Sequence, residues 1–134
     1  MFAQYAETLR DMGWSATIPI RPKNKAPAIH GWQRFNTEAP SNALVESWCE
    51  HYAGFGIGLA FGPDRVIGVD LDFLDPDKAK LARSITANHF GKTPLVRVGQ
   101  RPKTLWFYQM ADGPYDMQRA YGGFEIFTNS GQCV

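Results

Sequence analysis

A chain of 134 residues, 44% hydrophobic and 13% aromatic, fits one domain with a real core and excludes a disordered polymer. Its formal net charge of +1 neither demands nor excludes a nucleic-acid partner, because a local basic patch is what counts there. No apolar run approaches the ~20 residues of a membrane span, and the start, Met1-Phe-Ala-Gln-Tyr-Ala-Glu7, lacks the basic-then-apolar pattern of a signal peptide, so the expectation is a soluble cytoplasmic protein.

In chain order, Phe2, Tyr5, Leu9 and Met12 recur at helical spacing and predict a helix over 2–12, closed by Gly13. Trp14 to Ile20 reads as a strand stopped by Pro19 and Pro22. Residues 21–40 read as a proline-containing loop that carries Lys23, Lys25 and Ile29-His-Gly-Trp32, and long irregular loops in compact domains tend to be functional. Ser41 is a predicted N-cap for a helix over 42–52, with Leu44, Val45 and Trp48 on its buried side.

Gly56 to Phe61 is a short apolar strand, Gly62-Pro-Asp64 a turn, and 65–72 a second strand, expected to pair with the first as an antiparallel hairpin. Pro76 suits the first turn of a helix over 76–89, with Ala79, Leu81, Ala82 and Ile85 on one side. Pro94 to Val98 and Lys103 to Gln109 are strands flanking a turn at Gly99-Gln-Arg-Pro102. A looser segment leads to a strand over Gly123–Phe127, then a turn at Asn129-Ser-Gly131 and a partner strand opening at Gln132. The sum is an α+β domain on an antiparallel or mixed sheet. A hairpin that opens at the last residue also leads us to expect the N-terminal portion of a longer protein.

Chemistry-bearing residues collect in few places. Val66, Ile67 and Val69 form a strand that ends in Asp70 and Asp72, which alternation puts on one face with Leu71 on the other. Adjacent carboxylates repel unless a cation or a shared proton relieves them, and hard ions such as Mg²⁺ or Mn²⁺ take such oxygen ligands together with phosphates. Equally, the pair can be an acidic strand end, with Asp75 and Asp77 capping the next helix. Glu125, flanked by Phe124 and Ile126 on the opposite face, is costly to bury without a partner such as a metal shared with Asp70 and Asp72, or it lies on a solvated sheet face. The cations Arg97, Arg101 and Lys103 around a Gly/Pro turn, and Arg21, Lys23 and Lys25 in the earlier loop, can grip phosphate or can be ordinary surface charges. Cys49 and Cys133 match no metal spacing and read as reduced thiols, and His30, His51 and His89 are not spaced as ligands. Neither a Ser-His-Asp or Cys-His pattern nor a Gly-x-x-x-x-Gly-Lys phosphate loop is present.

The order of these pieces resembles the bifunctional primase–polymerase domain of the archaeo-eukaryotic primase superfamily, the phage and plasmid type. The resemblance runs through Tyr5, Gly13-Trp14 and Pro19, Lys25-Ala-Pro27 with Gly31-Trp32, Trp48, and Gly56-Ile-Gly-Leu with Gly62. It continues through Val69-Asp-Leu-Asp72, Thr93-Pro94, Arg97-Val-Gly-Gln-Arg-Pro-Lys103 and Phe124-Glu-Ile-Phe127. It implies a single primase–polymerase-like domain over 1–134: a catalytic module related to the RNA-recognition fold, beside an N-terminal α/β part. Asp70 and Asp72 fall on the family's metal-binding Asp-x-Asp and Glu125 on its third acidic position, with Mg²⁺ or Mn²⁺ as cofactor. Lys25 and Trp32 fall in the N-terminal part near the site. Many members have a Ser-x-His motif that contacts the nucleotide; here Lys103 and Thr104 occupy that stretch, which points to Lys103 and Arg97, with Arg101, as the phosphate grip.

The function so implied is a template-dependent nucleotidyltransferase, a DNA primase/polymerase that adds nucleotides from NTP or dNTP to a 3′-hydroxyl. Its partners would be a single-stranded DNA template and a replicative helicase domain, without a membrane. The alternatives are a catalytically inactive or truncated module that binds nucleotide or single strands, and a metal-dependent nuclease built on the same carboxylates.

Overall fold

The computed structural model describes residues 1–111, 119–128 and 132–133. Among them, three α-helices and eight strands build two antiparallel sheets, so the chain is α+β as its pattern of elements requires. The turn expected at Asn129-Ser-Gly131 lies outside the described residues.

In the N-terminal half, helix α1 (Phe2–Asp11) lies against helix α2 (Asn42–His51), with strands β1 (Thr17–Ile20) and β2 (Gly56–Ala60) completing the layer. The start of α1 is tied down by the Met1 ammonium and the Phe2 N–H, which donate to Ala53 O at 2.6 Å and Phe55 O at 2.8 Å. Phe2 and Ala6 are its buried residues, while Tyr5 and Met12 of the expected stripe are exposed. Ser41 caps α2 by accepting from the Leu44 N–H at 3.3 Å, as expected of its position. The stretch read as plain loop contains a short 3₁₀ helix, Trp32–Asn36, which delivers Phe35 edge-on to Trp48 in this core. Pro19 lies within β1 and does not end it. Its carbonyl points away from β2 and accepts from Ala28 N–H at 2.8 Å, so on this edge strand the missing N–H removes no ladder bond.

The turn after β2 forms as expected, but the hairpin does not. β2 pairs with β1 on one side and with β8 (Gln132–Cys133) on the other, whereas β3 (Val66–Leu71) is the middle strand of the second sheet. Both hydrogen-bonding edges of each strand are taken, so the two cannot pair with one another. The same pairing corrects the reading of Gln132 onward, whose partner is β2 and not the strand just before it. Asp64 in the connecting turn accepts from the Ser15 N–H at 2.8 Å and the Ser15 hydroxyl at 2.5 Å, holding the junction between the sheets.

The second sheet runs β4 (Val96–Val98), β5 (Thr104–Gln109), β3, β7 (Phe124–Phe127), β6 (Arg119–Tyr121). Helix α3 (Pro76–Phe90) joins β3 to β4 with β5 between them, a split β-α-β unit. β6 falls in the segment read as merely loose. One sheet face carries Val69, Leu71, Trp106, Tyr108 and Phe124 and packs on Ala82 of α3. The buried residues of α3 are Ala79, Ala82 and Thr86, while Leu81 and Ile85, expected inside, are 61% and 39% exposed. Large aromatic side chains on the sheet already fill this layer, so the helix comes close with its small residues and turns its larger aliphatics outward. Asp75 caps α3 by accepting from Asp77 N–H at 3.0 Å and Lys78 N–H at 2.9 Å.

Candidate functional site

The other face of the second sheet is set by alternation along β3. Leu71 is buried in the α3-side core, so Asp70 points to the opposite face. In register, Asp70 stands between Leu105 of β5 and Glu125 of β7, and Leu105 stands opposite Arg97 of β4. Arg97, Leu105, Asp70 and Glu125 therefore form one row across four strands, with directly opposite Cβ atoms about 5 Å apart. The cation and the two carboxylates in that row are separated by an apolar floor.

Asp72 follows β3 directly, and its N–H donates to Gly123 O at 2.7 Å. Gly123 has φ +107°, and a Cβ there would meet the Phe73 ring at 2.8 Å, so glycine alone fits and the backbone can come close enough to hold Asp72. Lys103 arrives from the turn before β5 and places its ammonium 2.7 Å from Asp72 Oδ1. The Lys103 N–H donates to Gln100 O at 3.0 Å, and Arg83 of α3 donates to Pro102 O at 3.3 Å, across a turn that contains a cis Arg101–Pro102 peptide bond. From the N-terminal half comes Lys25, in a tight loop closed by Arg21 N–H to Ala26 O at 2.9 Å. Asp70, Asp72, Lys25, Arg97 and Lys103 line one cleft of about 220 Å³.

Of the site residues expected from sequence, the cleft thus gathers the two aspartates and three of the cations, and Glu125 stands next to Asp70 across the β3–β7 ladder. Arg101 is exposed and is not among the residues lining the cleft. Trp32, placed near the site by the resemblance, packs against the N-terminal core. Arg83 and Gly123, which fix the turn and Asp72, escaped the sequence reading; the Gly122-Gly123 pair before a strand was the available signal for the second.

Half-burial pushes the Asp70 carboxyl above its ordinary range, and the carboxylates of Asp72 and Glu125 push the same way, against the pull of Arg97 and Lys25. The negative charge on Asp70 is therefore incompletely compensated by the protein itself. Among the described residues, no three His, Cys, Asp or Glu side chains converge closely enough to cage a metal ion. Mg²⁺ and Mn²⁺ are nevertheless commonly held by one or two carboxylates plus substrate phosphates, and the all-oxygen pair Asp70 and Asp72, in a cleft also lined by Lys25, Arg97 and Lys103, fits that donor pattern. The fit is to an ion whose shell the substrate completes.

Two antiparallel sheets, with carboxylates and cations facing one another in a cleft on one of them, define an α+β protein suited to a phosphate-bearing substrate. More specifically, the chain belongs to the Prim-Pol family: the model described as bifunctional DNA primase/polymerase, N-terminal, matches residues 6–134. A comparison with curated proteins gave no match. Membership assigns the chain to a primase/polymerase role, with nucleic acid and nucleotides as the substrate classes. No helix among the described residues is long and apolar enough to cross a membrane.

Proposed function

We propose that the cleft is the active site of a template-dependent nucleotidyltransferase, a primase/polymerase of the kind used in phage or plasmid replication. The observation that carries this reading is the register that sets Asp70 beside Glu125, with Asp72, Arg97, Lys103 and Lys25 around the same opening. Asp70 and Asp72, with Glu125 beside Asp70 as the third carboxylate and substrate phosphates completing the shell, would hold divalent ions, Mg²⁺ or Mn²⁺, whose chemistry when bound is to polarise the attacking 3′-hydroxyl and the leaving pyrophosphate. Arg97 supplies a planar, bidentate donor for the triphosphate, and Lys103 and Lys25 supply point charges. In the reaction the 3′-hydroxyl gives up its proton to solvent, its oxygen bonds to the α-phosphorus, and the bond from that phosphorus to the bridging oxygen breaks. Pyrophosphate leaves into the cation-lined part of the cleft, where its growing charge is offset. Leu105, between Arg97 and Asp70, keeps the cation and the carboxylate from pairing with each other, leaving both available to substrate.

Nucleotide incorporation on a single-stranded template in Mn²⁺ tests this directly. Asp70→Ala should lower incorporation by roughly 10²-fold or more, the scale of losing one electrostatic group in a site of this kind. Equal incorporation by both proteins overturns the proposal. Triphosphate binding without incorporation by the wild type assigns the chain to the non-catalytic binding class instead, and shortening of the supplied strand makes it a nuclease.

A further inference from the structure

We infer that Lys103 is the resident counter-cation of Asp72, and that a divalent ion displaces it and frees its ammonium for the triphosphate. Metal loading and nucleotide grip are then a single exchange. The inference rests on the assignment of the cleft to metal and triphosphate, and adds an order and a coupling that the assignment alone does not contain.

The geometry is specific. Lys103 Nζ sits 2.7 Å from Asp72 Oδ1, a full charge-assisted contact. A divalent ion on the same carboxylate, at about 2.1 Å, would stand close to that ammonium and carry the same sign of charge, so each weakens the other's hold on Asp72. The pair lies at the cleft opening, with the Asp72 side chain 56% and the Lys103 side chain 28% exposed, so solvent weakens it and exchange is cheap. The backbone of Lys103 is pinned by its own bond to Gln100 O and by the bond from Arg83 to Pro102 O, whereas its side chain is a flexible four-carbon stem. On release, the head group moves and its root stays. Lys103 lines the same cleft as Arg97 and Lys25, so a freed ammonium remains beside the other two cations, where a polyphosphate is the complementary charge. Among the described residues Asp70 is in no such ion pair, and it sits deeper, so one aspartate waits for the metal while the other is held in reserve.

Such an exchange makes metal and triphosphate tighten each other's binding by the same factor, since equilibrium coupling is reciprocal. The test is Mn²⁺ binding to the full chain, read from the free-ion paramagnetic resonance signal, with and without a non-hydrolysable nucleoside triphosphate. Without nucleotide, Lys103→Gln should bind Mn²⁺ roughly two- to fivefold more tightly than wild type, the scale of one exposed ion pair. With the triphosphate present, the factor by which it tightens Mn²⁺ should shrink in Lys103→Gln. Lys103→Arg, which keeps the charge, should bind Mn²⁺ no more tightly than wild type.

Arg97→Gln separates exchange from the general field, because Arg97 lines the cleft without an ion pair to Asp72. Equal tightening by Arg97→Gln and Lys103→Gln, or none by Lys103→Gln, overturns the inference. Asp70→Asn tells that failure from a deeper one. If it weakens Mn²⁺ binding while Lys103→Gln changes nothing, only the exchange fails. If neither variant alters binding, the metal assignment fails with it.

Discussion

Gly68 and Asp70 are neighbours on the same face of β3, yet they live in opposite environments. At Gly68 the face is closed: Phe107 and Phe127 stand opposite, and Phe61, fully buried, presses its ring where a side chain on residue 68 would be. One step along the strand, at Asp70, the face opens into a cleft lined with charge. The N-terminal half makes the difference. Phe61 and Trp14 cover the Gly68 end through edge-on contacts with Phe107, and only the loop bearing Lys25 reaches the Asp70 end. A site of this kind needs a rigid floor next to an unsatisfied opening, and two residues of strand provide the boundary between them.

Breaking the closed end should cost the most. Phe61→Ala removes a large buried ring from between the two sheets and should destabilise the chain by about 3–5 kcal/mol in urea unfolding. Loss of under about 1 kcal/mol would show that the closed end does not anchor the face. Gly68→Ala acts in the other direction, by crowding: the new Cβ would lie 2.9 Å from Phe61 and 3.1 Å from Leu105. Overpacking of that kind, less the gain from stiffening the unfolded chain, should cost about 1–2 kcal/mol. Because Leu105 is both the squeezed neighbour and the floor of the cleft, Gly68→Ala should also weaken triphosphate binding, which a matched destabilisation elsewhere would not. Unchanged nucleotide affinity in Gly68→Ala would separate the two ends after all.

The boundary itself was only half legible in the sequence. Alternation is local, so the common face of Asp70 and Asp72, and the turning of Glu125 away from Phe124 and Ile126, follow from strand assignment alone. Helix α2 and both aspartate and serine caps follow from equally local chemistry. What local rules cannot supply is which strand edges are free. The β2–β3 turn looked like a hairpin because nothing in the two strands says that β1 and β8 claim one while β5 and β7 claim the other. Likewise Leu81 and Ile85 satisfy helical spacing, but the space beneath α3 is decided by Trp106 and Phe124 on distant strands. The same holds in the cleft: the cations were visible as clusters, whereas the choice of Lys103 for Asp72, and the exclusion of Arg101, depend on how one turn is pinned by Arg83.

The smallest effect is also the one that reverses sign between the two ends. A substitution at the closed end should destabilise at every pH, whereas Asp70→Asn should stabilise the metal-free chain at neutral pH. The carboxyl of Asp70 is raised above its ordinary 3.8, chiefly by burial and then by Asp72 and Glu125, so the folded state holds its proton more tightly than the unfolded state does. As pH rises from that ordinary value through the raised folded one, the unfolded chain releases the proton first and stability falls, leaving the whole penalty in place at neutral pH. Asparagine carries no such penalty. The thermal midpoints of wild type and Asp70→Asn should therefore lie close together near about pH 4 and separate as pH rises towards neutrality, with the variant higher. A gap that stays constant with pH, or favours the wild type, would remove the electrostatic cost assigned to the open end. Added Mn²⁺ should close the gap, because an ion that binds the folded wild type more tightly than the variant stabilises the former more, so the electrostatic cost of the open end is offset by the ligand that the end receives.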